Sequence, residues 1–239
     1  MSASVIPLLW RTAHPPRRGP SRGLSVDAIV QAATRLADAS GLEPLTMRAL
    51  AGELGVAPMT LYTYVPGRAE LLELLVDHAV LTMARRGFDG LGWRERVSAV
   101  AEDNRALHRA HPWVAAVDPA RPVLGPGTMA KYEHELAAFD GCGLSDVDRD
   151  AALTFVLDFV TASARAEARS SPETDEAWWA GAGPVLAAVM DPSSYPLAAR
   201  VGTAAGEAQR SARHPDHAWA FGLARVLDGL AALVEPQIV

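Results

Sequence analysis

The stretch 46–65, TMRALAGELGVAPMTLYTYV, carries two helical patterns with almost no chain between them, and that leaves few ways to fold it. In its first half Leu50 and Leu54 lie four apart with Ala51 between them, the spacing of one buried helical face, and Thr46 precedes them as an N-cap. Gly55 falls where a helix stops and Val56 can plug the core at the turn. Pro58 suits a first-turn position, where its missing N–H has no intrahelical partner in any case. In the second half Leu61 and Val65 form the inward pair, which leaves Met59, Thr60, Tyr62, Thr63 and Tyr64 largely outward. Such a face meets phosphates and base edges better than it meets water. Two short helices joined by a tight turn make the helix-turn-helix pattern, in which the second helix enters a major groove.

With its flanks included, the stretch resembles the TetR/AcrR family of bacterial regulators. The strings LSVDAIVQAATRLADASGLEPLT, MRALAGELGVAPMTLYTYV and GRAELLELLVDHAV, together spanning 24–80, are similar in order and spacing to that family's three-helix DNA-binding head and long connecting helix. From 111 onward HPWVAAV, RPVLGPGTMAKYEHEL and GLSDVDRDAAL look like the C-terminal domain of the tetracycline-repressor branch. The resemblance implies a ligand-sensing, dimerising helical domain behind the head. Matched position by position, it implies that Thr46 and Arg48 contact phosphate and base, that Pro58, Met59, Thr60, Tyr62 and Tyr64 face DNA, and that Arg68 fills a phosphate-contact position; Thr63 joins them as an outward residue. Each tyrosine keeps a structural alternative, its hydroxyl packed on the neighbouring helix. The second helix has no Arg, Asn or Gln, the bidentate readers of guanine and adenine. Readout is therefore expected to rest on Arg48, on thymine-methyl contacts from Met59 or Thr60, and on a basic arm.

That arm is the first 24 residues, with four prolines, four arginines, no acidic group and no periodicity, expected to lack regular structure without a partner. Arg17, Arg18 and Arg22 abut the first helix of the head, placed either to enter a minor groove or to act as a solvated tail attracting phosphate nonspecifically. Trp10 and its apolar neighbours fit neither role and are expected to pack on the body. The net charge of −6 argues against nucleic-acid binding until its distribution is read: residues 1–68 hold seven arginines against four acids, +3, which leaves −9 on 69–239. A basic head on an acidic body guides DNA to one end.

The whole reads as an all-α chain: a flexible arm over 1–24, a three-helix DNA-binding head over 25–70, and a larger helical ligand-binding and dimerisation domain over 71–239. Ser25 caps a helix over 26–40 that ends at Gly41, and a connecting helix spans 68–86 with Leu71, Leu72, Leu75, Ala79 and Met83 on one face. Further helices are expected over 93–109, after Pro112, over 128–139, 145–168, 173–190 and 217–234. The Pro/Gly-broken stretch 191–215 is expected to be the least ordered. No run alternates strictly over six or more residues, so strands are not expected. No apolar run approaches the roughly 18 residues of a membrane span, and VIPLLW is too short for a signal-peptide core. With a single cysteine, Cys142, a disulfide framework is excluded and a cytoplasmic location expected.

Two helices are apolar all round. Phe155 and Phe159 on one, and Trp219, Phe221, Gly222, Val226, Gly229 and Leu230 on the other, are expected at a dimer interface, where the glycines allow close approach. The resemblance agrees, implying a four-helix interface; a monomeric core is the alternative. For a ligand, Asn104 on the apolar face formed by Val97, Val100, Leu107 and His108 needs a partner if buried, which a ligand or the protein itself can supply. Trp113 of HPWVAAV joins that candidate set. Asp158 belongs to a polar stripe with Thr154, Thr161 and Arg165, read first as an interface network and second as pocket lining; Trp178 and Trp179 either floor a pocket or pack in the core.

No metal triad, P-loop, G-x-S-x-G or Rossmann glycine pattern is present, so neither a metal, a cofactor nor an enzyme is expected. The polar residues with which the tetracycline branch chelates its drug–magnesium complex have no match: the aligned region offers Val100 and Asn104, with Asp118 in place of a histidine. The expected partners are a double-stranded operator, a second copy of the chain, and a small, fairly apolar inducer, but no membrane. An activator, a regulator without a ligand, and a protein-interaction module are the rival readings.

Overall fold

Two hydroxyls begin the DNA-binding part. Ser25 accepts from the Ala28 N–H and starts the helix Val26–Ser40; Thr46 accepts from the Ala49 N–H and starts Met47–Glu53. In this computed structural model, which describes residues 5–12, 24–117, 121–170, 172–211 and 214–234, these are α2 and α3. The turn after α3 is closed by Gly55 at φ 65°, a left-handed conformation that glycine adopts without strain, and Pro58 opens α4, Pro58–Tyr62. The connecting helix α5 runs Arg68–Thr82, four residues shorter than the spacing suggested. Ile29, Leu50, Leu61, Val65 and Leu75 are wholly buried at the centre of this unit. Each such side chain contributes roughly 1.5–3 kcal/mol over leaving it in water.

The N-terminal stretch departs from expectation. Residues Val5–Leu9 form a one-turn helix, α1, packed on α5 with Val5, Leu8 and Leu9 buried. The three carry the i, i+3, i+4 spacing of a helical face, too short a run to be recognised as one. Trp10 does reach the body, donating its indole N–H to the Leu124 carbonyl at 2.8 Å. Arg17, Arg18 and Arg22 lie outside the described residues, as does Asp118.

The body is α6 (Trp93–Ala110), a 3-10 turn Pro112–Ala116, α7 (Pro126–Leu136) running into a second 3-10 turn, α8 (Asp146–Glu167), α9 (Pro172–Val189), α10 (Pro196–Gln209) and α11 (Pro215–Val234). The head's core continues into it through Leu107, Trp113 and Val123. A second core joins α6, α8 and α11 around Val97, Phe139, Val156, Val160 and Trp219. Three residues expected at a dimer face, Trp219, Val226 and Leu230, are buried in this core within the chain. The reason is geometric: an all-round apolar helix must spend one side on its own subunit, and α11 spends that side on α8. Phe159 stacks on Trp219 at 5.2 Å, and a Cβ on Gly222 would lie 2.4 Å from the Phe159 ring, so the close approach that Gly222 allows is intramolecular. α11 is long and apolar enough to cross a membrane by length and composition alone.

The stretch expected to be least ordered holds α10, begun by Pro196 at its first turn and ended by Arg210 in a left-handed conformation. No residue of α10 is buried, and the described side chains of α9 are no better covered. Trp179 lies over Gly206, where a Cβ would come within 3.0 Å of its ring, and so links the two helices.

Candidate DNA-binding surface and body cleft

Helix α4 is held from below and open above. Leu61 and Val65 have no exposure, whereas Met59 is 73% exposed and Tyr62 43%. Thr60 is half-buried, and the Thr63 hydroxyl donates to the Thr60 carbonyl at 2.6 Å, keeping its lone pairs free. Tyr64 is half-buried against the head's core, so it serves packing more than the outward face. Arg48 projects from α3 into solvent and makes no hydrogen bond or ion pair to a described residue. The Thr46 oxygen is engaged as a cap, but its hydroxyl proton is free to donate.

Arg68 has partners inside the head besides the phosphate role the resemblance implied. Its guanidinium donates to the carbonyls of Leu42 (2.8 Å) and Leu45, bracing the loop that delivers Thr46 and Arg48. Two of its five N–H donors are thereby used inside the head, and the side chain stays exposed. The other outward residues of the predicted set are Thr46, Arg48, Pro58, Met59, Thr60, Tyr62 and Thr63, with one cation and no carboxylate among them.

In the body the predicted ligand residues separate. Asn104 is buried and satisfied within the chain, donating to the Val100 carbonyl and to Glu135, whose other oxygen accepts from Lys131 at 2.6 Å. Burial pushes the Lys131 ammonium pKa down and Glu135 opposes that shift. Val100 is buried in the second core. Trp113 is buried too, its indole donating to Asp38 of α2 at 2.6 Å while His111 meets the same carboxylate oxygen at 2.7 Å. Trp113 therefore ties body to head. Asp158 faces outward on α8, Trp178 is 62% exposed and Trp179 lies over Gly206, so these three do not converge with Asn104.

Of that set His108 borders a cleft of about 220 Å3, together with Arg109, Pro112, Ala164, Glu167 and Ala168. Its Nδ1 is buried without a partner among the described residues. Burial first, then the nearby Lys131 and Arg165 cations, lower its pKa to about 4, so the imidazole is neutral near pH 7. At the rim Glu167 binds Arg105 (2.7 Å) and Arg109 (3.0 Å), a network with Asp216. The i, i+4 arginines 105 and 109 were its only trace in the sequence. A wider groove of about 550 Å3 runs beside α6, past Arg86, Leu91, Arg94 and Glu102, and contains none of the predicted residues.

A recognition helix exposed on a rigid helix-turn-helix, carried by an all-helical body, defines a DNA-binding transcriptional regulator rather than an enzyme. The chain belongs to the TetR family: residues 29–75 match the family described as bacterial regulatory proteins, tetR family, and residues 88–234 match the tetracyclin repressor-like C-terminal domain. The HTH-type transcriptional repressor DrrR1 of Streptomyces coeruleorubidus is 38% identical over 240 residues, covering 97% of this chain and 86% of that protein. ActR of Streptomyces coelicolor, solved in complex with actinorhodin, superposes with a TM-score of 0.76 at 28% identity over 90% of this chain and all of that one. BioQ, known from Mycobacterium smegmatis and solved also with its double-stranded DNA operator, gives in that complex a TM-score of 0.58 at 26% identity, covering 87% of this chain and 99% of that one.

Proposed function

We propose that this chain is a homodimeric, cytoplasmic repressor that binds a two-fold symmetric operator and leaves it when a small, fairly apolar molecule enters the body. The observation that carries the proposal is the α4 face, with Met59 and Tyr62 held outward by the buried Leu61 and Val65, and Arg48 beside it with no partner among the described residues. Repression by DrrR1 and the DNA complex of BioQ support the operator part, and the ActR complex with actinorhodin supports a ligand.

For the second copy, the uncovered side of α8 and α11 supplies Phe155 (52% exposed), Phe221 (59% exposed) and Gly229, where a Cβ would meet no described atom within 4 Å. For the ligand, the cleft at His108 offers an apolar floor from Pro112, Ala164 and Ala168 and one neutral imidazole with an unused hydrogen-bonding nitrogen. Ligand binding shifts the population toward a dimer whose recognition helices no longer meet successive major grooves, about 34–36 Å apart. Arg17, Arg18 and Arg22 extend the contact into an adjacent minor groove.

Fluorescence anisotropy with DNA from upstream of the chain's own gene, at two salt concentrations, tests this. Tight binding to one duplex, falling steeply with salt as counterions are displaced, is expected. Equal and weak affinity for unrelated duplexes would overturn it.

A further inference from the structure

The one-turn helix α1 touches three parts of the molecule at once. Val5, Leu8 and Leu9 are buried against α5. Trp10 donates to the Leu124 carbonyl, immediately before α7 of the body. Arg11 Nε and Nη2 donate to Asp27 Oδ1 at 2.9 and 2.7 Å, in the first turn of α2 of the head. The same guanidinium donates through Nη1 to the Leu8 and Leu9 carbonyls, capping α1. Arg11 has φ 54°, a conformation that side-chain-bearing residues keep only where their surroundings over-determine it. α7 is in turn fixed to α5 by Asp77, which accepts from the backbone N–H groups of Gly127 and Thr128. The chain of contacts thus closes a loop from α2 through α1 to α7 and back along α5.

We infer that α1 is a strap that sets the angle between head and body, with Trp10 and Arg11 as positioning residues for DNA recognition. The strap precedes residues 29–75, the segment matched to the regulatory head, and is a constraint added to it. The Arg11–Asp27 pair is too exposed, with side chains 36% and 66% accessible, to stabilise the fold much. Its geometry matters more: a pivoting head must break either this pair or the Trp10 bond. On the operator-binding reading above, on which this inference rests, the angle fixes the separation of the two recognition helices. A strapped dimer therefore accepts one half-site spacing.

The test uses the full chain. Trp10→Phe keeps the ring's bulk and removes the indole donor; Arg11→Gln removes the charge. Affinity is measured for the operator and for versions with one base pair inserted or deleted at its centre. The native chain is expected to discriminate between them at least tenfold and both variants less than threefold, with circular dichroism unchanged; exchanging the charges, Arg11→Asp with Asp27→Arg, regains discrimination. Unaltered discrimination, or uniform weakening on every duplex, would reduce α1 to a piece of core and overturn the strap. A second readout needs no DNA: spin labels at Glu53→Cys and Glu133→Cys, in a Cys142→Ser chain diluted with unlabelled protein, report the head-to-body distance in one subunit. The strap predicts a broader distribution in both variants, and an identical distribution overturns it. If the native chain prefers no operator, the operator reading fails while this distance measurement still decides the strap.

Discussion

Apolar side chains reach solvent both on α4 and on the α9–α10 pair, under opposite conditions. On α4, Met59 and Tyr62 stand on a helix whose other side is anchored by two residues without exposure, Leu61 and Val65. On α9 and α10, Trp178, Val185, Val189, Leu197 and Val201 are at least half exposed, and no described side chain of either helix is buried. The first surface is complete before any partner arrives. The second belongs to helices of 18 and 14 residues with little tertiary packing, the source of most helical stability in proteins. A preformed surface suits a ligand that must be read in one register; an uncovered pair of helices suits a partner that completes the fold, and a second copy of the chain fits that need.

The largest effect expected from this contrast is on stability. Leu61→Ala removes a fully buried side chain from beneath α4, and such truncations cost about 2–5 kcal/mol. Thermal unfolding followed by circular dichroism should show the head melting early, with operator binding lost at temperatures where the body is intact. Leu197→Ala, at a site 63% exposed, should change stability by less than about 0.5 kcal/mol in dilute protein, with a larger loss emerging only as concentration rises and α10 becomes covered. Equal, concentration-independent losses at the two sites would erase the distinction.

Protonation offers a smaller effect that probes the body alone. The folded pKa of His108, about 4, lies below its ordinary value of 6.5, so the unfolded chain binds the proton more readily between the two. The contribution is fully present above pH 6.5 and is lost as pH falls through 4, amounting to about 3 kcal/mol across that window. Replacing His108 with Gln should flatten the fall in denaturant midpoint between pH 7 and pH 4. An unchanged slope would mean that the burial of this imidazole is not what the body's acid sensitivity records.

The two regions also differ in how far they could be read from sequence. In the head the relations that define the helix-turn-helix are local: Thr46 caps three residues away, Leu50 with Leu54 and Leu61 with Val65 are one turn apart, and Gly55 ends α3 by its own backbone preference; the Arg68 brace on Leu42 and Leu45 is the distant exception, and the pattern did not reveal it. In the body the decisive partners are distant. Asn104 is satisfied by Glu135, 31 residues on, and Trp113 by Asp38, 75 residues back, and no periodicity announces such pairs. α10 escaped because VGTAAGEA has small residues and no apolar stripe, and α1 because five residues are too few to display a period. Trp219, Val226 and Leu230 show the matching limit of pattern reading: an all-round apolar helix reveals that both sides are covered, not which side faces its own subunit.

The finest contrast lies inside the head, between two arginines that resemblance treats alike. Arg48 is exposed and has no partner among the described residues, whereas Arg68 gives two of its donors to the carbonyls of Leu42 and Leu45. If Arg48 contacts a phosphate, Arg48→Ala should weaken operator binding roughly tenfold, lower the slope of log affinity against log salt by about 1, and leave the melting temperature alone. Arg68→Ala should do the reverse, removing about 1–2 kcal/mol of head stability through two unmet carbonyls while keeping the salt slope. Its effect on affinity comes indirectly, because the 42–45 loop that aims Thr46 and Arg48 loses its brace. A salt slope lowered equally by both substitutions would place Arg68 on the phosphate backbone after all, with its carbonyl contacts exchanged for DNA on binding.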